Sequence, residues 1–264
     1  MWKGLSMGGK NTTLALPEKN LCIDCGSQIP ELWKADNLFI THTHADHMSC
    51  ILWGLHMRNA NKLGPWNIWC HPYEEVKLKA LLSAFNDIVD KGYGRLPYRI
   101  ETLYPGEKVM LNKQTEVRAF LSIHSTICNG YVVGETRKKL RLDLKDVTIK
   151  ELIGLKVKGV EVTEEIFVPL DAYCGDTSPK TYWDNPWLWE VPNLAIEITS
   201  LDDPDDRMHD YGHCNLKDIM SMPWNNKDIT IMHVSGKFKD EEITTTRNQL
   251  TMLFPKTNWH ILER

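Results

Sequence analysis

Short runs of apolar residues, each ending at a polar or turn-forming residue, recur along the chain. Runs of this length are typical of strands buried in a sheet. They predict strands at residues 14–16, 21–24, 38–40, 68–70, 117–123, 131–133, 166–169, 194–198 and 229–233. Helical patches are predicted over residues 45–61, 74–91 and 216–222, the last ended by Pro223. Strands in the majority, with helices between them, indicate a layered α/β architecture.

The composition is that of a globular protein. The chain has 264 residues, 42% hydrophobic and 25% charged, so we expect a single domain over residues 1–264. The net charge of −4 argues against a general nucleic-acid binder, and any nucleic-acid contact would need a local basic patch. Seven scattered cysteines, no signal peptide and no apolar run of the ~18 residues that a membrane span needs predict a cytoplasmic protein without a membrane partner.

Two stretches differ from this background, and each has two interpretations. Residues 137–158 carry eight basic and three acidic residues. They form either a solvated hairpin or helix, or a patch that binds a phosphate backbone. Trp183, Trp187 and Trp189 lie within seven residues of one another. They either pack in a core or an interface, or they form a platform for stacking bases.

The strongest chemical signal follows the predicted strand at residues 38–40, where the chain reads Thr41-His42-Thr43-His44-Ala45-Asp46-His47. Imidazole and carboxylate groups are ligands that zinc and similar metals accept. Three further candidates also follow predicted strands, and ligands at strand ends that face one sheet edge make a common rim. The candidate ligands, enough for two metal sites, are His42, His44, Asp46, His47, His124, Asp176 and His233.

With these ligands in this order, the chain resembles the metallo-β-lactamase superfamily, and residues 4–9, 20–26, 155–163 and 210–213 are similar to its tRNase Z (ribonuclease Z) branch. The resemblance implies a four-layer αβ/βα sandwich and two Zn²⁺ ions, with Mn²⁺ as the alternative. It assigns one metal to His42, His44 and His124, the second to Asp46, His47 and His233, and a bridging role to Asp176. Asp24 would orient the ligands.

The same resemblance implies a catalytic acid. Glu197 ends a predicted strand and His213 precedes a predicted helix. They match the glutamate and histidine with which tRNase Z-like enzymes protonate the leaving oxygen. A departing alkoxide is a poor leaving group at neutral pH, and an imidazolium held by a carboxylate can donate a proton to it. Asp46 would hold both a metal and the attacking water, so the residues indicate a metal-dependent phosphodiesterase.

Residues after His233 bear on the substrate. Ser235 and Lys237 are candidates to hold a phosphate oxygen. Lys237 and Phe238 stand where tRNase Z usually has an arginine and a tyrosine, so the bidentate phosphate fork is absent. This departure weakens the case for a tRNA-processing role.

Three functions remain open at this point. The chain also resembles anti-Pycsar proteins, phage-encoded relatives of tRNase Z that degrade cyclic mononucleotide signals, and this resemblance favours 3′,5′-cyclic mononucleotides as the substrate, in the host cytoplasm if the protein is phage-encoded. The first alternative is a tRNA 3′-processing endonuclease whose residues 137–158 grip a tRNA precursor. The second is a non-catalytic metal-binding module. The resemblance also implies a homodimer.

Overall fold

A computed structural model of the chain describes residues 2–88, 96–202 and 207–264. The strands are β1 (Lys3–Met7), β2 (Asn11–Leu16), β3 (Leu21–Ile23), β4 (Asn37–Phe39), β5 (Trp66–Cys70), β6 (Tyr98–Thr102), β7 (Lys108–Met110), β8 (Thr115–Ile123), β9 (Ile127–Leu140), β10 (Thr163–Tyr173), β11 (Asn193–Glu197), β12 (Asp228–Met232) and β13 (Asn258–Ile261). The helices are α1 (Pro30–Lys34), α2 (Ala45–Met48), α3 (Ile51–Ala60), α4 (Pro72–Ile88), α5 (Ile149–Val157), α6 (Pro179–Asp184), α7 (Arg207–Asp210), α8 (Leu216–Ser221) and α9 (Asp240–Leu253).

The strands form two mixed sheets. The first has the order β1-β2-β3-β4-β5-β6 and the second the order β13-β12-β11-β10-β9-β8-β7. Strands β3 to β6 run parallel in the first sheet, and β10 to β13 run parallel in the second. The carboxyl ends of neighbouring parallel strands meet at one edge of a sheet, so the loops that leave these strands converge.

Successive side chains of a strand point to opposite faces of the sheet, so each sheet buries apolar residues on both faces. The buried apolar residues form three cores. Leu14 and Tyr131 belong to the core shared by the two sheets. A second core joins the first sheet to α1, α3 and α4 and includes Leu55 of α3. A third joins the second sheet to α6, α8 and α9 and includes Leu250 of α9. The order helix, sheet, sheet, helix confirms the expected four-layer αβ/βα sandwich.

The predicted strands all coincide with observed ones, β2 to β5 and β8 to β12. The pattern did not predict β1, β6, β7 and β13, which are the edge strands of the two described sheets. Trp183 and Trp189 contact each other edge to face, and Trp187 packs on Phe120 of the second sheet. None of the described helices has the length and apolarity needed to cross a membrane.

The helix predicted over residues 45–61 is two helices, α2 and α3. Between them, the N–H of Cys50 donates to the carbonyl oxygen of Cys25 at 2.8 Å, and the N–H of Cys25 donates to the carbonyl oxygen of His47 at 2.7 Å. The loop after β3 therefore occupies the break. The helix predicted over 74–91 is α4, and residues 89–91 lie outside the described residues. Helix α8 matches the prediction over 216–222, whereas α1, α5, α6, α7 and α9 were not predicted.

Gly26 lies where the loop after β3 touches the histidine-rich segment. A Cβ atom at this position would lie 1.8 Å from the carbonyl oxygen of Asp46 and 2.6 Å from the backbone nitrogen of Thr12. We expect Gly26→Ala to lower the free energy of unfolding by about 1–3 kcal/mol, because both neighbours are backbone atoms with little room to move. Urea unfolding measures the loss.

Gly64→Ala is the matched control, since no described heavy atom lies within 4 Å of a Cβ built there. We expect it to change the free energy of unfolding by less than about 0.5 kcal/mol. Equal losses in the two variants would show that the close approach at Gly26 does not matter.

Candidate metal centre

The candidate site lies at the edge where the strands end. His42 and His44 follow β4, and His124, Asp176 and His233 follow β8, β10 and β12. His233 has a backbone φ of 57°, and Asp24, just after β3, has a φ of 59°. Left-handed backbone is uncommon outside glycine and is found preferentially at functional sites, where the surrounding structure enforces it.

The donor atoms of the predicted ligands form two groups, and within each group the donor atoms lie within 4.8 Å of one another. Asp176 belongs to both groups, so its carboxylate lies where a bridging ligand would be. The ligand assignment itself stays a prediction. The first group is His42, His44, His124 and Asp176, and the second is Asp46, His47, Asp176 and His233.

The distances in the second group fit a bound metal ion. Asp176 Oδ1 lies 3.2 Å from His47 Nε2, and Asp176 Oδ2 lies 3.3 Å from His233 Nε2. Ligand atoms about 2.0–2.2 Å from a tetrahedral metal lie about 3.4 Å apart. His47 Nε2 and Asp176 Oδ1 are both buried, and their 3.2 Å contact lacks the geometry of a hydrogen bond. Such atoms are costly to bury, and a divalent cation would satisfy both.

Asp24 supports the ligands from behind. Its carboxylate accepts hydrogen bonds from the N–H of Thr41 at 2.8 Å and from the Thr41 hydroxyl, and it lies 2.8 Å from His47 Nδ1. With Nδ1 engaged by Asp24, His47 turns its Nε2 toward the site. Thr41 Oγ1 also lies 3.0 Å from Nδ1 of His42. This arrangement fits the orienting role expected for Asp24, and the role itself stays a prediction.

Burial and neighbouring charges give the ligands different protonation states. Burial lowers the pKa of His42 to about 2, and the charge on His47 acts in the same direction. Burial also disfavours the charged form of His47, but the carboxylates of Asp176 and Asp24 outweigh it and hold the pKa of His47 well above its usual value. His42 therefore offers a neutral imidazole, whereas a metal bound at His47 would have to displace a proton.

Glu197 and His213 form a charged pair beside the ligands. His213 Nδ1 lies 3.0 Å from Oε1 of the fully buried Glu197. Burial disfavours the protonated imidazole, but the Glu197 carboxylate outweighs it and raises the pKa of His213 to about 9. Glu197 also accepts hydrogen bonds from the Thr177 N–H and the Thr199 hydroxyl. The pair therefore holds an imidazolium at neutral pH, with its Nε2 on the ring edge away from Glu197.

Thr199, which was not predicted as a site residue, joins the Glu197–His213 pair to the second ligand group. Its Oγ1 lies 3.3 Å from His213 Nδ1 and 3.0 Å from His233 Nδ1. The signal available in the sequence was its position two residues after Glu197, because residues two apart on an extended segment point to the same side.

Ser235 and Lys237 follow β12, two and four residues after His233. The Nζ of Lys237 lies 2.7 Å from Oδ1 of Asp202, and both side chains are more than half exposed. The Ser235 hydroxyl accepts a hydrogen bond from the Lys237 N–H at 3.5 Å. Their role in holding a phosphate oxygen stays a prediction. It requires Lys237 to break its ion pair with Asp202 and to bind the phosphate instead.

Comparison with known proteins places this site in a family. No protein-family model matches the chain. Among curated proteins, tRNase Z TRZ1 of Arabidopsis thaliana is 30% identical over 247 residues, which cover 91% of this chain and 87% of the relative. Among solved structures, the metallo-β-lactamase fold protein YhfI from Bacillus subtilis has a TM-score of 0.63 at 14% identity and covers 98% of this chain and 94% of its own. The short form of human tRNase Z has a TM-score of 0.58 at 17% identity, over 89% and 92% of the two chains.

Fold and site together define a protein of the metallo-β-lactamase fold that carries two groups of candidate metal ligands. Within that class, the chain belongs to the tRNase Z (ribonuclease Z) family. The expectation of an anti-Pycsar-like phosphodiesterase acting on cyclic mononucleotides is wrong, because the five curated relatives are all named tRNase Z or ribonuclease Z. That expectation gave too much weight to the acidic net charge, which averages over the whole surface.

The metal centre can be tested without turnover. We expect His44→Ala to lose bound metal, because His44 Nδ1 lies 3.0 Å from His42 Nε2 and 3.3 Å from His124 Nε2 in the first ligand group. Elemental analysis of the purified protein measures the metal content. His260→Ala removes a histidine that pairs with Asp228 on the sheet and should keep the metal. A His44→Ala protein with the full metal content would refute the ligand assignment.

Proposed function

We propose that the protein is a dinuclear-zinc endonuclease that hydrolyses one phosphodiester bond at the 3′ end of precursor tRNA, with manganese as the alternative metal. The observation that carries this proposal is 30% identity to a tRNase Z over 91% of the chain. This chain also keeps all seven candidate ligands and the Glu197–His213 pair. The basic residues around α5 add a second line of support.

Two bound zinc ions would lower the pKa of a shared water toward neutrality and neutralise charge on the phosphoryl oxygens. Asp46 belongs to the second ligand group, and its Oδ2 accepts the N–H of Gly9 at 3.1 Å. This contact holds the carboxylate where it can orient the attacking water. His213 would then give its Nε2 proton to the departing oxygen, while Glu197 stabilises the imidazolium.

The basic stretch forms an arm. Residues 137–140 of β9 pair with β10 beyond the end of β8, and α5 lies between the two strands in the chain. On the arm strands, Lys138 lies opposite Glu165 and Lys139 lies opposite Glu164. These cations are therefore offset by carboxylates. The exposed lysines near α5 are Lys145, Lys150, Lys156 and Lys158. The charge of Lys156 acts on the carboxylate of Glu161, so Lys145, Lys150 and Lys158 are better placed to meet a phosphate backbone.

We expect replacement of Lys145, Lys150 and Lys158 by alanine to weaken precursor tRNA binding. The slope of log affinity against log salt concentration should fall by up to about 3, because each lysine that contacts a phosphate releases about one counterion. Hydrolysis of bis(p-nitrophenyl) phosphate should be unchanged. Alanine at Arg137, Lys138 and Lys139 is the matched control, with a smaller expected effect. Equal effects of the two triple variants would refute this use of the arm.

The function is tested directly with a precursor tRNA that carries a 3′ trailer. We expect the zinc-loaded protein to cut it once, and His213→Ala to keep its metal while losing about 10²–10⁴-fold in rate. Cyclic UMP, cyclic CMP and cyclic AMP serve as competing substrates. An uncut precursor would refute the endonuclease, and a near-wild-type rate for His213→Ala would remove this residue from the proposed mechanism.

A homodimer is the assembly that the family resemblance implies, and it stays a prediction. Light scattering on the purified protein would measure the mass, for comparison with 30.5 kDa for one chain.

A further inference from the structure

Aromatic side chains line one wall of the cleft beside the first ligand group. The cleft has a volume of about 610 Å³ and contains His124, His71 and Tyr73. His71 and Tyr73 lie where β5 passes into α4. Neither His71 nor Tyr73 belongs to the candidate metal site or to the Glu197–His213 pair. We therefore ask what these two side chains could bind in the cleft.

The rings are arranged as a platform. Tyr73 stacks on His71 with the ring centroids 5.3 Å apart and the planes 10° apart, and Tyr104 meets His71 edge to face at 5.4 Å. Tyr73 is 68% exposed and His71 is 7% exposed. The buried imidazole therefore covers one face of the tyrosine and leaves the other face to solvent. A supported aromatic ring of this kind can stack on a planar ligand.

A buried carboxylate fixes this platform relative to the metal ligands. Glu74, next to Tyr73, is 2% exposed, and its Oε2 accepts a hydrogen bond from the Thr43 hydroxyl at 3.0 Å. Thr43 lies between His42 and His44 in the chain. The N–H of Tyr73 also donates to Nδ1 of His71 at 3.2 Å. A ligand that stacks on Tyr73 would thus have a defined position relative to the first ligand group.

The exposure of Tyr73 is not explained by packing of α4. The helix packs through Leu78 and Leu82, which are buried, whereas Tyr73 projects from its first turn. The cleft wall also includes Leu121 and Ile127, which are 56% and 38% exposed. An apolar and aromatic wall beside candidate metal ligands suits a ligand that joins a planar ring to a phosphate.

We propose that Tyr73 stacks on the base of a nucleotide that flanks the scissile phosphodiester, with His71 and Tyr104 supporting the ring. This inference rests on the proposed function, because a phosphate held at the metal centre brings its neighbouring base to this wall. Tyr73 is then a substrate-binding residue that helps to place the bond to be cut.

Binding can be tested without cleavage. Short RNAs would carry 2-aminopurine on one or the other side of a non-hydrolysable linkage, and the zinc-loaded protein should quench one of the two probes by stacking. Tyr73→Ala should abolish the quenching, whereas Tyr73→Phe and Tyr73→Trp should keep it. Val76→Ala is the matched control, since Val76 lies on the same helix and is 72% exposed. Equal quenching by wild type and Tyr73→Ala would overturn the proposal.

Kinetics test the same contact during turnover. We expect Tyr73→Ala to lower kcat/KM for precursor tRNA by about 5- to 150-fold, the usual effect of losing one stacked base, with unchanged metal content. A precursor with an abasic nucleotide at the quenched position should be cut equally by both proteins. A loss that persists on the abasic substrate would overturn the proposal. If Tyr73 quenches the probe but the protein cleaves no precursor, the proposed endonuclease activity is refuted and the stacking on Tyr73 still stands.

Discussion

The buried carboxylate of Asp176 is the group on which the rest of the site depends. Its side chain is 2% exposed, and His42, His47 and His233 place ring nitrogens 3.2–3.8 Å from its oxygens. An isolated carboxylate this deeply buried would cost several kcal/mol, so partners of opposite charge must be present before the site is stable. Asp176 lies in the loop after β10 of the second sheet, and His42 and His47 lie after β4 of the first. The contacts of this one carboxylate therefore connect the two sheets at the edge that holds the candidate site.

The same constraint explains the unusual backbone beside the site, though not the left-handed conformations of Asn20 and Lys62 elsewhere. Asp24 and His233 adopt left-handed conformations, and Gly26 approaches the Asp46 carbonyl too closely for any side chain. Each irregularity lies just after a strand, at the point where the chain has to turn a side chain toward the common rim. The regular strands fix the distances between the loops. The irregular backbone at Asp24, Gly26 and His233 determines how the nearby candidate ligands are directed toward the site. The cost of the turns is offset by the packed cores behind them.

Prediction from the sequence succeeded where burial dominates. The nine strands found from apolar runs lie inside the sheets, while the four that were missed are edge strands, which are less buried and therefore carry a weaker apolar pattern. The candidate ligands could be named because four of them stand close together in the segment after β4 and three follow other strands, and their assignment stays a prediction. Thr199 and Tyr73 were missed, since their roles depend on contacts with distant segments. The substrate was misjudged in part from the net charge, which does not show how charges are distributed, for example that Lys138 and Lys139 of the arm lie opposite Glu165 and Glu164.

The chemistry follows from giving two neighbouring imidazoles opposite environments. The rings of His124 and His213 lie 4.9 Å apart, so the candidate ligand and the candidate acid are in contact. Burial lowers the pKa of His124, whereas the Glu197 carboxylate outweighs burial and raises that of His213 to about 9. At neutral pH one ring is an acceptor suited to a metal and the other is a proton donor, and this separation of roles is typical of acid–base sites. Removing the charge of Glu197 while keeping its shape would reduce the difference between the two pKa values, so the buried carboxylate, rather than the histidine alone, defines which ring is the candidate acid.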